Sequence, residues 1–575
     1  MLAPEGNSRA LDETVLLESL RAGAFTVLQP KKRVYWKFGR LVSSCRADLG
    51  MSSYDLRFLL NGYEFDDIDK AVRATYRDWN ERLRRLPPPS AHRPRIALLV
   101  SDGQAIRTFV QTDVCRQLAA WAELYVLSPH NIEADVAKLG PDAHFLPIPM
   151  IRRMRLDNLV GHMGFRLTGS PTNARMVERL NENLDKAIAN GDQIGGSLLI
   201  WKISQDYRTI DDYVNVYRSN LKLFSAIYSL KSVAKLLRRL QPDLVLNTSI
   251  ISWPSRLWTR AAALNGTPIL SYVISWDNMS TKTLLDEFVE TFLIWSDEMD
   301  EDFTTSVPFV REKPRVIVGS PQFEPILQGT GLVSKETFLA DYGLDPRKKL
   351  VLYTTGSKTN FPAEAECLDH VLSHWRDNLK DDVEIMVRMH PKDRQGRYEE
   401  VIEKFPDVPF TLAGDTLEYG TEWVPNADDV ALLVNQLHHC DVIINCASTM
   451  TLEGFVIDKP SINIGFNLGV THSLRYPMSD YYRSRHYHDI VESGAAKLVG
   501  NYEELFAALD QILHQGDIDA QTQRAILLKK CRFYEDSSVR LSAFVKSYCE
   551  DLLPQREPAL PAQRKSWLSG LFTSG

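Results

Sequence analysis

The chain has 575 residues, 44% hydrophobic and 25% charged, an ordinary globular composition long enough for more than one core. A net charge of -7 gives no support for a nucleic-acid partner, which calls for a basic surface, although a local basic site for phosphate is compatible with it. Seven scattered cysteines without CxxC spacing point to a reducing compartment and away from a disulfide framework or a zinc site.

The opening "MLAPEGNSRALDETVLLESL" carries acidic residues and no apolar h-region, so it does not read as a signal peptide. No apolar run approaches the ~20 residues of a membrane span, and a cytoplasmic location is expected. Residues 1–92 read as a helical extension that stops at "PPPSAHRP", because a triple proline cannot continue a helix. "RIALLVSDGQAIRTF" then starts a strand, polar turn and helix, with a second strand at Leu124 to Leu127. A long polar, helix-like insert is expected at 150–240. Strands resume at "PDLVLNTS", "TPILSYVIS", "TFLIWSD" and "RVIVGSP", each ending in Ser, Asp, Asn or Gly. That rhythm predicts an open parallel sheet with a crevice at its carboxyl edge, in a domain spanning 93–330.

A second α/β series follows in 331–535: "KLVLYTTGS", "VEIMVRMHP", "DVPFTLAG", "CDVIINCAS", "PSINIGF" and "AAKLVG". Residues 536–575 read as a C-terminal helix and a tail. The predicted fold class is α/β, with two Rossmann-like domains facing each other across a cleft and a helical N-terminal addition. The tail "QRKSWLSGLFTSG" reads as a terminus without order or as a contact with an anionic membrane.

Chemistry is expected where strands end. In "CDVIINCASTMTLEGFVIDKP" an apolar strand stops at Cys446 and a helix begins, with Ser448 or Thr449 as N-cap and an end at Asp458 before Lys-Pro. Glu453 lies four residues after Thr449, too far for a capping box, and one turn in on the same face. It reads either as a surface Glu or as a carboxylate that accepts hydrogen bonds from ribose hydroxyls, with the helix terminus serving phosphate.

Three more strand ends join it. In "VRMHPKDR", Arg388, His390 and Lys392 place positive charge at the sheet edge, as a diphosphate requires, or form a solvated basic loop. In "TTGSKT", Gly356, Ser357 and Lys358 offer a phosphate-lining loop, although neither a Walker loop nor GxGxxG is present. In the first half, Asp102 and Asp277 are carboxylates placed as a general base or as local caps. Trp276 and Asn278 flank Asp277 in a combination suited to sugar binding. His438, His439, His486 and His488 lack metal-ligand spacing and read as structural or solvent-facing, so no metal site and no required cofactor are expected.

The pair "RMHP" and "CDVIINCASTMTLEGFVIDKPSINIGF", with "VIVGSPQFEP" and "SWDNMSTK", resembles GT-B glycosyltransferases, in particular bacterial surface and capsular carbohydrate enzymes and CDP-glycerol glycerophosphotransferases. UDP-N-acetylglucosamine 2-epimerases are similar in fold. The resemblance implies a nucleotide-sugar donor, with His390 on the diphosphate, Ser448 and Thr449 on phosphate and Glu453 on the ribose. It implies a carbohydrate or lipid-linked acceptor, with which a peripheral inner-membrane contact through the C-terminal tail is consistent. Many retaining members carry Glu eight residues before the position of Glu453, where this chain has Asn445. An epimerase or hydrolase on the same fold, or a scaffold that has lost its chemistry, are the competing expectations.

Overall fold

The computed structural model describes residues 46–552 apart from 47, 49, 52–54, 56–58, 60–64, 87–92, 152–154, 170, 193, 195, 283–287, 307, 358–360, 362, 392–395, 413, 417–422, 468–477 and 517–518. Its frame is two parallel sheets. The first contains β1 (Arg95–Leu99), β2 (Glu123–Ser128), β3 (Ala143–Pro147), β4 (Leu244–Asn247), β5 (Ile269–Tyr272), β6 (Thr291–Ile294) and β7 (Arg315–Ile317), in the order β3-β2-β1-β4-β5-β6-β7. The second contains β8 (Lys349–Thr354), β9 (Val383–Arg388), β10 (Phe410–Thr411), β13 (Val442–Asn445), β14 (Ser461–Ile464) and β15 (Lys497–Val499), in the order β10-β9-β8-β13-β14-β15. A short antiparallel pair, β11 (Asp415–Thr416) and β12 (Trp423–Val424), stands apart.

Both sheets are doubly wound, each reversing its strand order beside its first strand, at β1/β4 and β8/β13. The central strands are apolar on both faces because helices cover both: β1, β4 and β13 are buried at every position. The two Rossmann-like domains of the GT-B architecture, expected from the sequence, are therefore present. β3 was not anticipated. Its "AHFLP" alternates with a half-buried His144 and lacks the continuous apolar run of its neighbours.

The insert folds as helices Arg155–Thr168, Ala174–Ala189, Gly196–Ser204, Ile210–Ile227 and Leu230–Leu240. A buried bond from Asn220 Nδ2 to Asp157 Oδ1 (2.8 Å) joins two of them. The insert also reaches the second domain, where Arg175 donates to the buried Asp480. Of the N-terminal extension, helix Phe65–Arg85 is described, and it seats Trp79 against Trp258 of the first domain with ring centroids 5.0 Å apart. Helix Ser537–Ser547 returns to the first domain, where Glu324 accepts from both Ser538 N and Ser538 Oγ at 2.6 Å. The tail expected after the last helix lies outside the described residues. No helix among those described is long and apolar enough to cross a membrane.

Candidate functional site

The loop after β13 is the most constrained part of the second domain's carboxyl edge. Ala447 adopts a left-handed conformation (φ 39°), unusual for a residue with a Cβ. Its N–H donates to Tyr482 Oη at 3.0 Å, and that hydroxyl donates to Ile464 O at 2.8 Å. Below it, Asn445 accepts from Ser448 N (3.3 Å) and donates to Thr451 Oγ1 (3.1 Å), which also meets Tyr487 Oη at 2.8 Å. Asn445 is thus a brace for the turn, in the position where many retaining enzymes carry Glu.

The helix that follows is Met450–Phe455, shorter than expected. Neither candidate caps it as predicted. Thr449 has a helical backbone, and its hydroxyl accepts from Trp276 Nε1 of the first domain at 3.2 Å. Ser448 Oγ accepts only the nearer N–H of Met450, at 3.3 Å. The chain leaves the helix after Phe455 through a left-handed Asp458 (φ 54°), with Lys459 N closing on Gly454 O at 2.9 Å.

Glu453 is 1% exposed, which excludes the surface reading. Its Oε1 accepts from Arg107 Nη2 at 2.8 Å, and Arg107 comes from the first domain. Its Oε2 is buried with no donor among the described residues. Arg388, buried at the end of β9, donates to Gln436 Oε1 at 2.8 Å. Its pKa is pulled down to about 10, first by burial and next by the neighbouring charge of Arg107, with Glu453 acting the other way. Two guanidinium groups and the Glu453 carboxylate therefore share the cleft, and the charge of Asp429 also acts on Arg388.

The loops after β8 and β9 are tied together here. Thr355 N donates to Arg388 O (3.0 Å), and His390 N donates to Thr355 Oγ1 (2.8 Å). Gly356 N donates to the fully buried Glu364 at 2.7 Å, and a Cβ on Gly356 would fall 1.9 Å from the Phe361 ring. Ser357 O accepts from Phe361 N at 2.9 Å. Lys358 and Lys392 lie outside the described residues.

Across the cleft, the Asp277 carboxylate accepts from Ser275 Oγ, from Thr281 Oγ1 (2.9 Å) and from Asn278 Nδ2 (3.3 Å). Burial works to raise its pKa, but His486, Lys282 and these hydroxyls hold it below the usual carboxylate range. Asn278 is buried, and its Oδ1 has no donor among the described residues. Trp276 meets His486 edge-on at 5.0 Å, and Ser280 Oγ lies 2.6 Å from His486 Nδ1. Burial pushes His486 down to about 4, so it is neutral at pH 7. Of the two readings offered for it, structural or solvent-facing, His486 takes the structural one, packed against Trp276. His438 and His439 are structural, their Nε2 atoms bonding Ile326 O and Val333 O at 2.8 and 2.9 Å.

Asp102 caps its own turn, accepting from Ala105 N at 2.8 Å. The next residue, Gly103, abuts the other domain so closely that a Cβ there would lie 2.2 Å from Trp423 O. Sequence reasoning missed Arg107, Gly103 and Glu364. Arg107 stands in the quoted "SDGQAIRTF", and its charge at a strand-end helix was the available signal. Among the described residues no group of three or more His, Cys, Asp or Glu side chains is arranged to hold a metal ion.

No protein-family model matches the chain, and no curated protein matches it. Solved structures do. An S. aureus MnaA–UDP complex aligns with TM-score 0.45 and 11% identity over 81% of this chain and 99% of that one. A UDP-GlcNAc 2-epimerase from Neisseria meningitidis bound to UDP-GlcNAc aligns with TM-score 0.46 and 10% identity over 78% and 99%. A glycosyltransferase from Rickettsia africae aligns with TM-score 0.44 and 12% identity over 80% and 99%.

Proposed function

We propose that the chain is a glycosyltransferase that moves a sugar from a nucleotide-activated donor to a surface polysaccharide or glycolipid acceptor. The observation that carries this reading is Glu453, a buried carboxylate at the cleft whose Oε2 awaits a donor, flanked by Arg107 and Arg388. Ribose hydroxyls supply the missing donor to Oε2. The diphosphate pairs with Arg388 and Arg107, with His390 and the Gly356–Ser357 turn around it, the hydroxyls of Ser448 and Thr449 at the helix start, and Lys358 and Lys392 as further candidate partners. Fixed cations and N–H groups then stabilise the leaving nucleotide, and no metal is needed in the scheme.

On the facing side, Trp276 and Asn278 receive the acceptor sugar. Asp277, held ionised by its hydroxyl partners and by the charge of Lys282, is the base we assign on this side, with Asp102, which caps its own turn, as the second candidate. Peripheral attachment of the protein to an inner membrane through the C-terminal tail belongs to the same proposal. A thermal-shift screen with UDP, GDP, CDP, CMP and ADP compounds tests the reading, with at least one expected to stabilise the chain in proportion to its occupancy. Stabilisation by none of them overturns it. Free epimer or free sugar accumulating without an acceptor would identify an epimerase or hydrolase instead.

A further inference from the structure

Helix Trp253–Asn265 follows β4, and its first turn stands at the carboxyl edge of the first sheet, beside the point where strand order reverses. Ser252 precedes it in extended conformation and makes no side-chain cap. The turn is fixed to the loop after β1, since Ser255 Oγ lies 2.6 Å from Ser101 Oγ. Arg256, one residue further, is 3% exposed. Its guanidinium carbon sits 4.7 Å from the Trp253 ring centroid, so the side chain runs back over the first helical residue, the usual direction for a long side chain on a helix.

Apart from the Trp253 ring face, Arg256 Nε and Nη1 have no hydrogen-bond partner among the described residues and are sealed from solvent, and so is Ser249 Oγ on the loop between β4 and the helix. No carboxylate among the described residues pairs with Arg256. A guanidinium cannot shed its proton to escape this situation, and burial without a counter-charge is costly. The uncapped first turn adds N–H groups without helical partners. A charge, a hydroxyl and the N–H groups of Trp253 and Ser255 therefore lie within one short stretch, 249–256, and all are suited to a tetrahedral oxyanion.

We propose that Ser249, Arg256 and the first turn of this helix form an anion subsite for a phosphate group, and that the acceptor is the molecule that brings it. The word acceptor rests on the transferase reading. The phosphate subsite itself does not. Its position fits, because Ser101 is followed by Asp102 and Gly103 on the rim that touches Trp423 of the donor domain.

The test is calorimetric titration of the full-length chain with inorganic phosphate, using acetate at equal ionic strength as control. Arg256→Met keeps the stem's packing and is expected to weaken phosphate at least about tenfold, and Ser249→Ala about threefold. Both variants should keep nucleotide affinity within about twofold, since neither touches the donor side. Ser249→Ala removes a single hydroxyl and serves as the readout if Arg256→Met does not fold. Phosphate binding that survives both variants but falls in Arg388→Gln overturns the subsite, as does equal binding of acetate or no phosphate binding by the unaltered chain. Loss of nucleotide binding with phosphate binding intact would sink the transferase reading and leave the subsite standing. Vesicles of phosphatidylcholine with and without phosphatidic acid separate the sources. Arg256-dependent capture on the acidic vesicles identifies a lipid-borne phosphate, and phosphate binding without capture identifies a soluble phosphorylated sugar.

Discussion

Replacing Glu453 with Gln keeps the side chain's shape and removes its charge, so it isolates electrostatics from packing. Two costs follow. In the free protein, Glu453 and Arg107 are paired at 2.8 Å with side chains 2% and 18% exposed. Unit charges ~4 Å apart attract by ~4 kcal/mol at an effective dielectric of ~20, an upper bound before desolvation is subtracted. Removing one partner leaves Arg107 and Arg388 facing each other without the carboxylate between them. A loss of about 3 kcal/mol of folding stability is expected, in the range seen when a buried pair is broken.

The second cost falls on the ligand. Glu453 Oε2 is a buried acceptor without a donor, and a hydrogen bond to a charged group contributes ~1.5–3 kcal/mol. That range corresponds to about a tenfold to hundredfold weaker nucleotide. Urea denaturation reads the first cost and isothermal titration with the best-stabilising nucleotide reads the second. A variant that loses stability but binds nucleotide within about twofold of the unaltered protein would refute the ribose assignment and leave Glu453 as a latch between domains.

Other consequences follow from the same geometry. Gly103→Ala places a methyl 2.2 Å from Trp423 O, backbone that cannot step aside cheaply. The expected result is a larger radius of gyration by small-angle scattering and faster hydrogen exchange around Trp423, and no change in either would contradict a tight interdomain approach. Lys530, 2% exposed, donates to both oxygens of Glu298 at 2.8 Å and pairs with Asp489 at 2.6 Å. Lys530→Met removes the buried cation and leaves Glu298 and Asp489 to Lys529, which pairs with Asp489 at 2.6 Å, so about 1–3 kcal/mol should be lost in urea unfolding; a loss below ~0.5 kcal/mol would mean that Lys529 and solvent carry the cluster. Asp302 is held up to about 6 by burial, against the pull of Arg485. Its folded pKa is raised, so its contribution is full below the unfolded pKa and is lost as pH rises through 6. His486, pushed down to about 4, contributes stability that is full above its unfolded pKa and is lost as pH falls toward 4. Each contributes up to ~3 kcal/mol, with opposite slopes. Taken as a difference from the unaltered chain, the stability profile of Asp302→Asn should therefore rise between pH 4 and 6, and that of His486→Asn should fall. A flat profile in both variants would rule the linkage out.

The sheets were legible because a strand covered on both faces announces itself as an unbroken apolar run, as in Ile96–Leu99 and Val442–Ile444. β3 escaped because three of its five residues are only half-buried and its apolar pattern is diluted. Glu453 was legible as a misfit: it stood at the wrong distance for a capping box, and the structure gives it another partner. The partner itself was not legible. Arg107 is 346 residues away, and no local rule connects charges across such a separation. The same holds for Trp276 Nε1 and Thr449 Oγ1, 173 residues apart. Arg256 was hidden for a different reason. In sequence it is one more basic residue on a helix, and only burial without a counter-charge makes it stand out.

A single stretch, Ser101 to Arg107, touches everything that the cleft requires. Ser101 holds the turn that carries Arg256, Asp102 caps the stretch, Gly103 abuts Trp423, and Arg107 engages Glu453. If a nucleotide draws Arg107 toward its diphosphate and loosens the Glu453 pair, the seven residues from Ser101 to Arg107 are the path by which the proposed phosphate turn would feel it. Coupling of this kind is reciprocal in free energy, so an anion bound at Arg256 must alter nucleotide affinity by the factor by which nucleotide alters anion affinity. Measuring both factors in the Gly103→Ala protein, where the stretch is displaced, separates coupling through this path from simple charge attraction between two sites. Equal factors that vanish in the variant would identify Ser101–Arg107 as the link. Factors that persist unchanged, and that fade with added salt, would reduce the effect to long-range electrostatics.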